Sequence, residues 1–507
     1  MKIKEEKDFD YRLLLVTTLL ISICSIIYEL LISSISSYLQ GDSITQFSIT
    51  IGLYMSAMGI GSYLSKFIKN KLFNKFVIIE LSVGILGGFS SLILFMSNIY
   101  TQIYSLIMYA LIILIGIFVG LEIPILTRII ESHKSNVRKN LANIFTFDYI
   151  GGLIGSIAFP IILFPKLGFI TTALLVGSIN IIVALLIILK YNVYIENYKI
   201  TRNISIFCLV IIVLFLFSGE MITKQIEEGL YRDDVILTEQ TSYQKIVLTK
   251  HKDDLRLFLD GNLQFSSIDE YRYHEALVHI PMLYAKSHQN VLILGGGDGL
   301  AAREVLKYDD VENIVLVDID KEMTELCKNN EQISKLNNDS LKNEKVQVIN
   351  DDAYIFVQEN QQKFDVIIID FPDPNNETLN KLYTNVFYNY IKNNLTPDGV
   401  MVCQSTSPYY AKKSFWCIHK TIKTQFNTVK SYHLQVPSFG EWGFNLAFNG
   451  ENTMKKLQIK TQYLTDENIY SLFEFGKDEI IDLSTIEENN MFKPALITYY
   501  NDEVRNW

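Results

Sequence analysis

The chain has 507 residues, 49% of them hydrophobic, and a mean hydropathy of +0.19, too long for one ordinary domain and too apolar for a wholly soluble protein. Residues 1–220 carry 16 Lys/Arg against 12 Asp/Glu and the remainder 29 against 43, so a mildly basic part precedes an acidic one. An acidic part without a basic cluster argues against a nucleic-acid partner, and five cysteines without CxxC spacing give no disulfide framework and no metal site.

Seven apolar runs are candidate membrane spans: 13–38, 44–67, 76–99, 103–126, 144–164, 169–189 and 204–217. The first has no small-residue cleavage site and reads as an anchor. Basic residues gather after the second, fourth and sixth runs (Lys69, Lys71, Lys75; Lys134, Arg138, Lys139; Lys190, Lys199, Arg202), which puts the N-terminus inside. Seven crossings would leave the acidic part outside. Either the short last run or the fifth, with Asp148 beside Gly151, Gly152 and Gly155, is therefore expected to be interfacial or re-entrant, keeping the second part cytoplasmic. Glu29, Glu122 and Asp148 in or beside the runs suit a polyamine cation or a proton, or else end helices and pair with Arg128 or a hydroxyl.

After Glu220 the pattern changes to short alternating segments. Segments 244–250, 255–260 and 262–266 predict a small antiparallel β unit. A helix over 269–284 then leads into strands at 291–294, 313–317, 346–349, 366–369 and 400–403, alternating with helices. That order predicts a parallel sheet with helices on both faces.

The strand 291–294 runs into Gly295, Gly296, Gly297, Asp298 and Gly299, where missing side chains let a ligand approach the backbone. Leu300 breaks the dinucleotide spacing and Asp298 would repel a pyrophosphate, so a cationic ligand without phosphates fits better. Asp318 ends the next strand, 21 residues beyond Gly297, where a carboxylate can accept both ribose hydroxyls. Asp352 and Ala353 follow the third strand, where a carboxylate can accept an adenine amine. Three acids at successive strand ends describe an adenosyl sulfonium site.

With Ser242-Tyr243-Gln244, Leu259-Asp260-Gly261 and Gln264, Asp269-Glu270, Tyr273-His274-Glu275, Gly295 to Gly299, Asp351-Asp352-Ala353 and Asp370-Phe371-Pro372-Asp373-Pro374, the sequence resembles the spermidine synthase (polyamine aminopropyltransferase) family, in its multi-pass membrane branch. The resemblance implies that Gln244 and Asp318 hold the nucleoside with Asp352 and Ala353 around the adenine, and that His274 and Asp298 line the aminopropyl and polyamine path. It also implies Asp370 as catalytic aspartate and Tyr273 and Asp373 in the amine pocket. Chemistry agrees: only a free amine attacks the carbon beside a sulfonium, so one carboxylate takes a proton while others hold the distal ammonium. The chain departs from the family at Pro437-Ser438-Phe439, where a tyrosine is usual, and at Phe371-Pro372 and Asn375-Asn376 in the gate loop; the acceptor need not be putrescine. Trp416 and Trp442 are candidates for a cation pocket or for core packing.

The expected fold is a multi-pass α-helical membrane domain (1–220), a small antiparallel β unit (221–268), an α/β Rossmann-like domain of the class I AdoMet-dependent transferase type (269–450) and a C-terminal extension (451–507) without a chemical motif. The expected function is transfer of the aminopropyl group of decarboxylated S-adenosylmethionine, a cosubstrate rather than a tightly bound cofactor, to a diamine or polyamine. Methyl transfer from intact S-adenosylmethionine and a membrane polyamine sensor or transport regulator are the alternatives. Expected partners are the polyamine, the adenosyl sulfonium and the lipid bilayer of the cell membrane, with the catalytic domain cytoplasmic; the acceptor and any homo-oligomer stay open.

Overall fold

A computed structural model describes residues 11–41, 43–133 and 137–504, so Lys134 of the second basic connection lies outside the described residues. The chain divides into two compact units between Val235 and Ile236.

The first unit is helical: α1 (Arg12–Gln40), α2 (Ser43–Leu64), α3 (Leu72–Gly88), α4 (Ser90–Tyr100), α5 (Tyr104–Glu131), α6 (Val137–Ala158), α7 (Phe164–Lys190), α8 (Tyr198–Phe217) and α9 (Gly219–Tyr231). Among the described residues five helical stretches are long and apolar enough to cross a membrane, and α3 with α4, bent by 42°, makes a sixth. The count falls below the seven expected runs because the fifth and sixth share one stretch, Arg138–Lys190. It passes through a π-helical turn, Phe159–Leu163, and breaks at Gly168, whose φ of +67° leaves the helical region.

Small residues set the helix crossings, as expected where apolar surroundings give helices no other reason to pack closely. A Cβ on Gly61 would stand 2.1 Å from the Ile117 carbonyl oxygen, and one on Gly120 2.1 Å from that of Met58, so α2 and α5 touch backbone to backbone. Gly151 and Gly155 do the same for α6 on α1, with Cβ positions 2.5 Å from the Leu19 oxygen and 2.3 Å from Ile26 Cγ2. Around Asp148 the fifth run forms a continuous helix, its glycines used for packing. Arg128 is spent on the Ile68 and Ser65 carbonyls at 2.7 and 2.8 Å rather than on a carboxylate. Replacing Gly120 by Val should overpack the α2–α5 crossing by about 1–3 kcal/mol or more, read as a lower melting temperature of the detergent-solubilised protein.

The second unit opens with the antiparallel sheet β1 (Asp234–Gln240), β2 (Lys245–His251), β3 (Asp254–Leu259) and β4 (Asn262–Ser266), paired in chain order. β1 is a strand that the sequence reading lacks; with α9 it occupies the stretch just after Glu220. α10 (Glu270–Tyr284) leads to β5 (Asn290–Gly295), β6 (Asn313–Asp318), β7 (Val346–Asn350), β8 (Phe364–Asp370), β9 (Leu395–Gln404), β10 (Thr428–Val436) and β11 (Gly440–Phe448). The seven strands run β10-β11-β9-β8-β5-β6-β7. β5, β6 and β8 are buried on both faces, which is why they read as unbroken apolar runs. The expected strands β5 to β9 pair in parallel, and β10 and β11, absent from the sequence expectation, add an antiparallel hairpin beside β9 that makes the sheet mixed.

Candidate active site

The parallel register sets Gly295 opposite Asp370, bringing the glycine loop and the end of β8 together. A Cβ on Gly295 would lie 2.2 Å from the Asp370 carbonyl oxygen, and φ there is +80°, so only glycine fits. The Gly297 N–H donates to Asp318 Oδ2 at 3.1 Å, tying the loop to the end of β6, and the Asp320 N–H donates to Asp318 Oδ1 at 2.9 Å.

Asp370 is held from the other side by α10. Tyr273 Oη donates to Asp370 Oδ1 at 2.6 Å. Burial, followed by the nearby Asp298, pushes the Asp370 carboxyl up to about 6, against the opposing pull of His274 and Tyr273. His274 lies beside Tyr273 with Nδ1 2.8 Å from Glu270 Oε2, and Glu270 grips the Arg303 guanidinium at 2.8 and 2.9 Å. Burial depresses His274, but Glu270, Asp298 and Asp370 outweigh it and raise the imidazole to about 9. It is therefore an imidazolium at neutral pH. Burial raises Asp298, whose Oδ1 accepts the Leu300 N–H at 2.8 Å.

Asp373, three residues beyond Asp370, belongs to a second buried network. Its Oδ2 accepts from Tyr500 Oη at 2.9 Å and its Oδ1 from Gln404 Nε2 at 3.3 Å, and burial raises it above the ordinary carboxylate range. Gln404 also donates to the Phe371 carbonyl at 2.6 Å and accepts from Trp442 Nε1 at 3.2 Å. Phe439 sits edge-on to Tyr273 at 6.1 Å, held there because Asp269 accepts from the Ser438 N–H and hydroxyl at 2.7 and 2.8 Å.

At the end of β6, burial lifts Asp318 to about 6, with the neighbouring Asp320 and Asp298 adding to it and the two backbone donors opposing. Gln244 Nε2 donates to Asp320 Oδ2 at 2.9 Å, which also accepts from Thr241 at 2.8 Å. Asp352 caps the helix Ala353–Glu359 through the Tyr354 N–H and pairs with Lys381 Nζ at 2.5 Å; Ala353 is buried behind it. The structure thus joins Asp298, His274, Tyr273 and Asp370 in one cluster and Asp318 with Gly297 beside it, while the Asp352 carboxylate is already engaged by Lys381. Of the two tryptophans, Trp442 reaches the Asp373 network; Trp416 donates to the Glu479 carbonyl at 2.7 Å and packs on Phe415 and Phe475.

The sequence reading lacks Glu270 and Arg303 as supports of His274, Asp320 as the anchor of Gln244, and Tyr500. Asp320 had a signal in the Asp318-Ile319-Asp320 spacing, and Glu270 and His274 stand four apart on one helix face. Tyr500 had none. His433, Glu441 and Glu479 also bring three ligand-type atoms within 4.8 Å of one another.

The spermine/spermidine synthase domain family matches residues 270–459. A polyamine aminopropyltransferase of Leptospira interrogans is 43% identical over 491 residues, covering 97% of this chain and 98% of its own. This chain belongs to the polyamine aminopropyltransferase family. A polyamine aminopropyltransferase of Oceanobacillus iheyensis is 41% identical, covering 96% of both chains. The spermidine synthase of Thermotoga maritima, a solved structure, is 28% identical with a TM-score of 0.43, covering 48% of this chain and 85% of its own. The aminopropyltransferase family is one of transferases of aminopropyl groups in polyamine synthesis, and the two full-length relatives extend across the helical unit as well as the catalytic one.

Proposed function

We propose that the second unit moves the aminopropyl group of decarboxylated S-adenosylmethionine onto a diamine or polyamine, with Asp370 as general base. The observation that carries this is the Asp370 carboxyl, fixed by Tyr273 against the glycine loop and raised to about 6, a stronger base than an exposed aspartate yet ionised at neutral pH. The amine nitrogen forms its bond to the carbon beside the sulfonium, the carbon–sulfur bond breaks, methylthioadenosine leaves uncharged, and the amine proton goes to Asp370. Asp318 holds the ribose hydroxyls, Gln244 borders the nucleoside through Asp320, and Gly295, Gly296 and Gly297 make room for the sulfonium. Ala353 and Asp352 close the adenine side, with Lys381 sharing the carboxylate. Asp298 and His274 line the aminopropyl path, and Asp373 receives the distal ammonium.

Full-length protein in detergent would be given the donor with putrescine, cadaverine or spermidine. Methylthioadenosine release with at least one amine is expected; none with any amine overturns the reading. Intact S-adenosylmethionine in a parallel arm should yield no methylated amine. In the same preparation Asp318→Asn should weaken donor binding about 10–100-fold while leaving the acceptor KM within about threefold, measured by calorimetry and initial rates.

The helical unit is read as a multi-pass anchor in the cell membrane with the catalytic unit on the cytoplasmic side. Its outward side chains, among them Met55, Ile60, Leu106, Leu153 and Phe207, are exposed and apolar, a surface suited to lipid. Impermeant thiol labelling of a cysteine placed at Lys252 should fail in intact cells and succeed after lysis.

A further inference from the structure

The interior of the helical unit holds a carboxyl pair that the transferase chemistry does not use. Glu80 on α3 and Glu122 on α5 are 0% and 2% exposed, and their carboxyls lie within hydrogen-bonding reach of one another. Glu80 Oε2 accepts from Asn180 Nδ2 on α7 at 3.0 Å, and Asn180 Oδ1 accepts from Tyr28 Oη on α1 at 3.0 Å. At the end of that chain, Glu80 Oε1 and Glu122 Oε1 are buried with no hydrogen-bond partner among the described residues. The titratable groups around them are Cys24 and Tyr28 on α1, Tyr54 on α2 and Asp148 on α6, none of them cationic. Arg128, on the same helix as Glu122, is committed to backbone carbonyls.

Two facing carboxylates cannot both ionise in apolar surroundings without a positive charge between them. A divalent metal would want six or more oxygens, and two carboxyls with one hydrogen-bonded oxygen between them offer three at most. An alkylammonium needs room and a route, and both side chains are sealed. One proton shared between the two carboxyls bridges them and leaves a single negative charge, which the Asn180–Tyr28 chain stabilises by pointing its donors at Glu80. We propose that Glu80 and Glu122 form a one-proton binding site at the heart of the helical bundle, a carboxyl–carboxylate pair of the kind that takes up and releases a proton when helices part. Exchange requires α3 to separate from α5, so occupancy reports the packing of those helices. The proposal stands apart from the transferase reading and needs none of its residues.

The test is infrared difference spectroscopy of the full-length protein in lipid nanodiscs. The wild type should show a protonated-carboxyl band that moves on deuterium exchange and on carbon-13 glutamate labelling, persists in Glu29→Gln, and vanishes in Glu80→Gln/Glu122→Gln. A wild type without such a band, or one whose band ignores glutamate labelling, overturns the proposal without need of any variant. Loss of the band when Na⁺ or spermidine is added at constant pH also overturns it, by identifying a cation as the occupant.

Discussion

Asp370→Asn should lower kcat about 10²–10⁴-fold, the usual contribution of a general base, while changing the donor KM little. In the wild type the acidic limb of kcat at saturating donor, where Asp318 is already engaged, should fall with an apparent pKa near 6, since the Asp370 carboxyl is raised to about 6 and only its ionised form accepts the amine proton. The residual activity of Asp370→Asn should lack that limb. The same substitution should stabilise the fold. A carboxyl whose pKa is higher folded than unfolded contributes stability that is present below its unfolded value, near 4, and lost as pH rises through 6. Above pH 6 the buried charge is a cost, so the Asn variant should gain about 2–3 kcal/mol over wild type at pH 7–8, and the gain should vanish below about pH 4. An inactive and destabilised variant, or an acidic limb surviving in Asp370→Asn, would count against the assignment.

Tyr500→Phe removes a hydroxyl from a buried carboxylate that keeps Gln404 as a partner. Hydrogen bonds to charged groups are worth about 1.5–3 kcal/mol, so the acceptor KM should rise about tenfold or more, with the donor KM unchanged and kcat within about threefold. A uniform loss of folded protein would instead mark Tyr500 as purely structural. The tyrosine is delivered by the helix Ala495–Val504, which is docked by Glu503: its carboxylate accepts the Lys413 and Ser414 N–H groups at 2.7 and 3.1 Å, capping the helix Lys412–Lys423 where Ala411 cannot. Glu503→Ala should therefore produce a weaker form of the Tyr500→Phe phenotype, together with about 1 kcal/mol of lost stability.

What was legible in the sequence follows from what local pattern encodes. Strands buried on both faces announce themselves as Leu-Ile-Leu or Val-Ile-Ile-Ile runs, and Gly295, Gly296 and Gly299 mark a turn by positive φ values that favour glycine, so the β5–β6–β8 frame is read directly. Asp318 and Asp370 were legible because each ends such a strand. The hairpin of β10 and β11 was not: Tyr432, His433, Trp442 and Asn445 mix polar and aromatic residues without clean alternation, since they pack between the sheet and the C-terminal segment. Glu80 carries no sequence signal in an otherwise apolar run because its partners, Glu122 and Asn180, lie on two other helices. Phe439 looked like a lost hydroxyl. The hydroxyl that reaches Asp373 comes from Tyr500, in a tail whose mixed periodicity reflects short pieces docked one after another onto β10 and onto the helix Lys412–Lys423.

The bond from Tyr500 to Asp373 spans 127 residues of chain. On the ribosome the helical unit is made first and the glycine loop, Asp318 and Asp370 emerge well before it can form. A nascent chain can therefore join the glycine loop to the ends of β6 and β8 early, but completes the buried network around Asp373 only after residue 500 has cleared the exit tunnel. That network is assembled late, after the strands that carry the glycine loop are already in place.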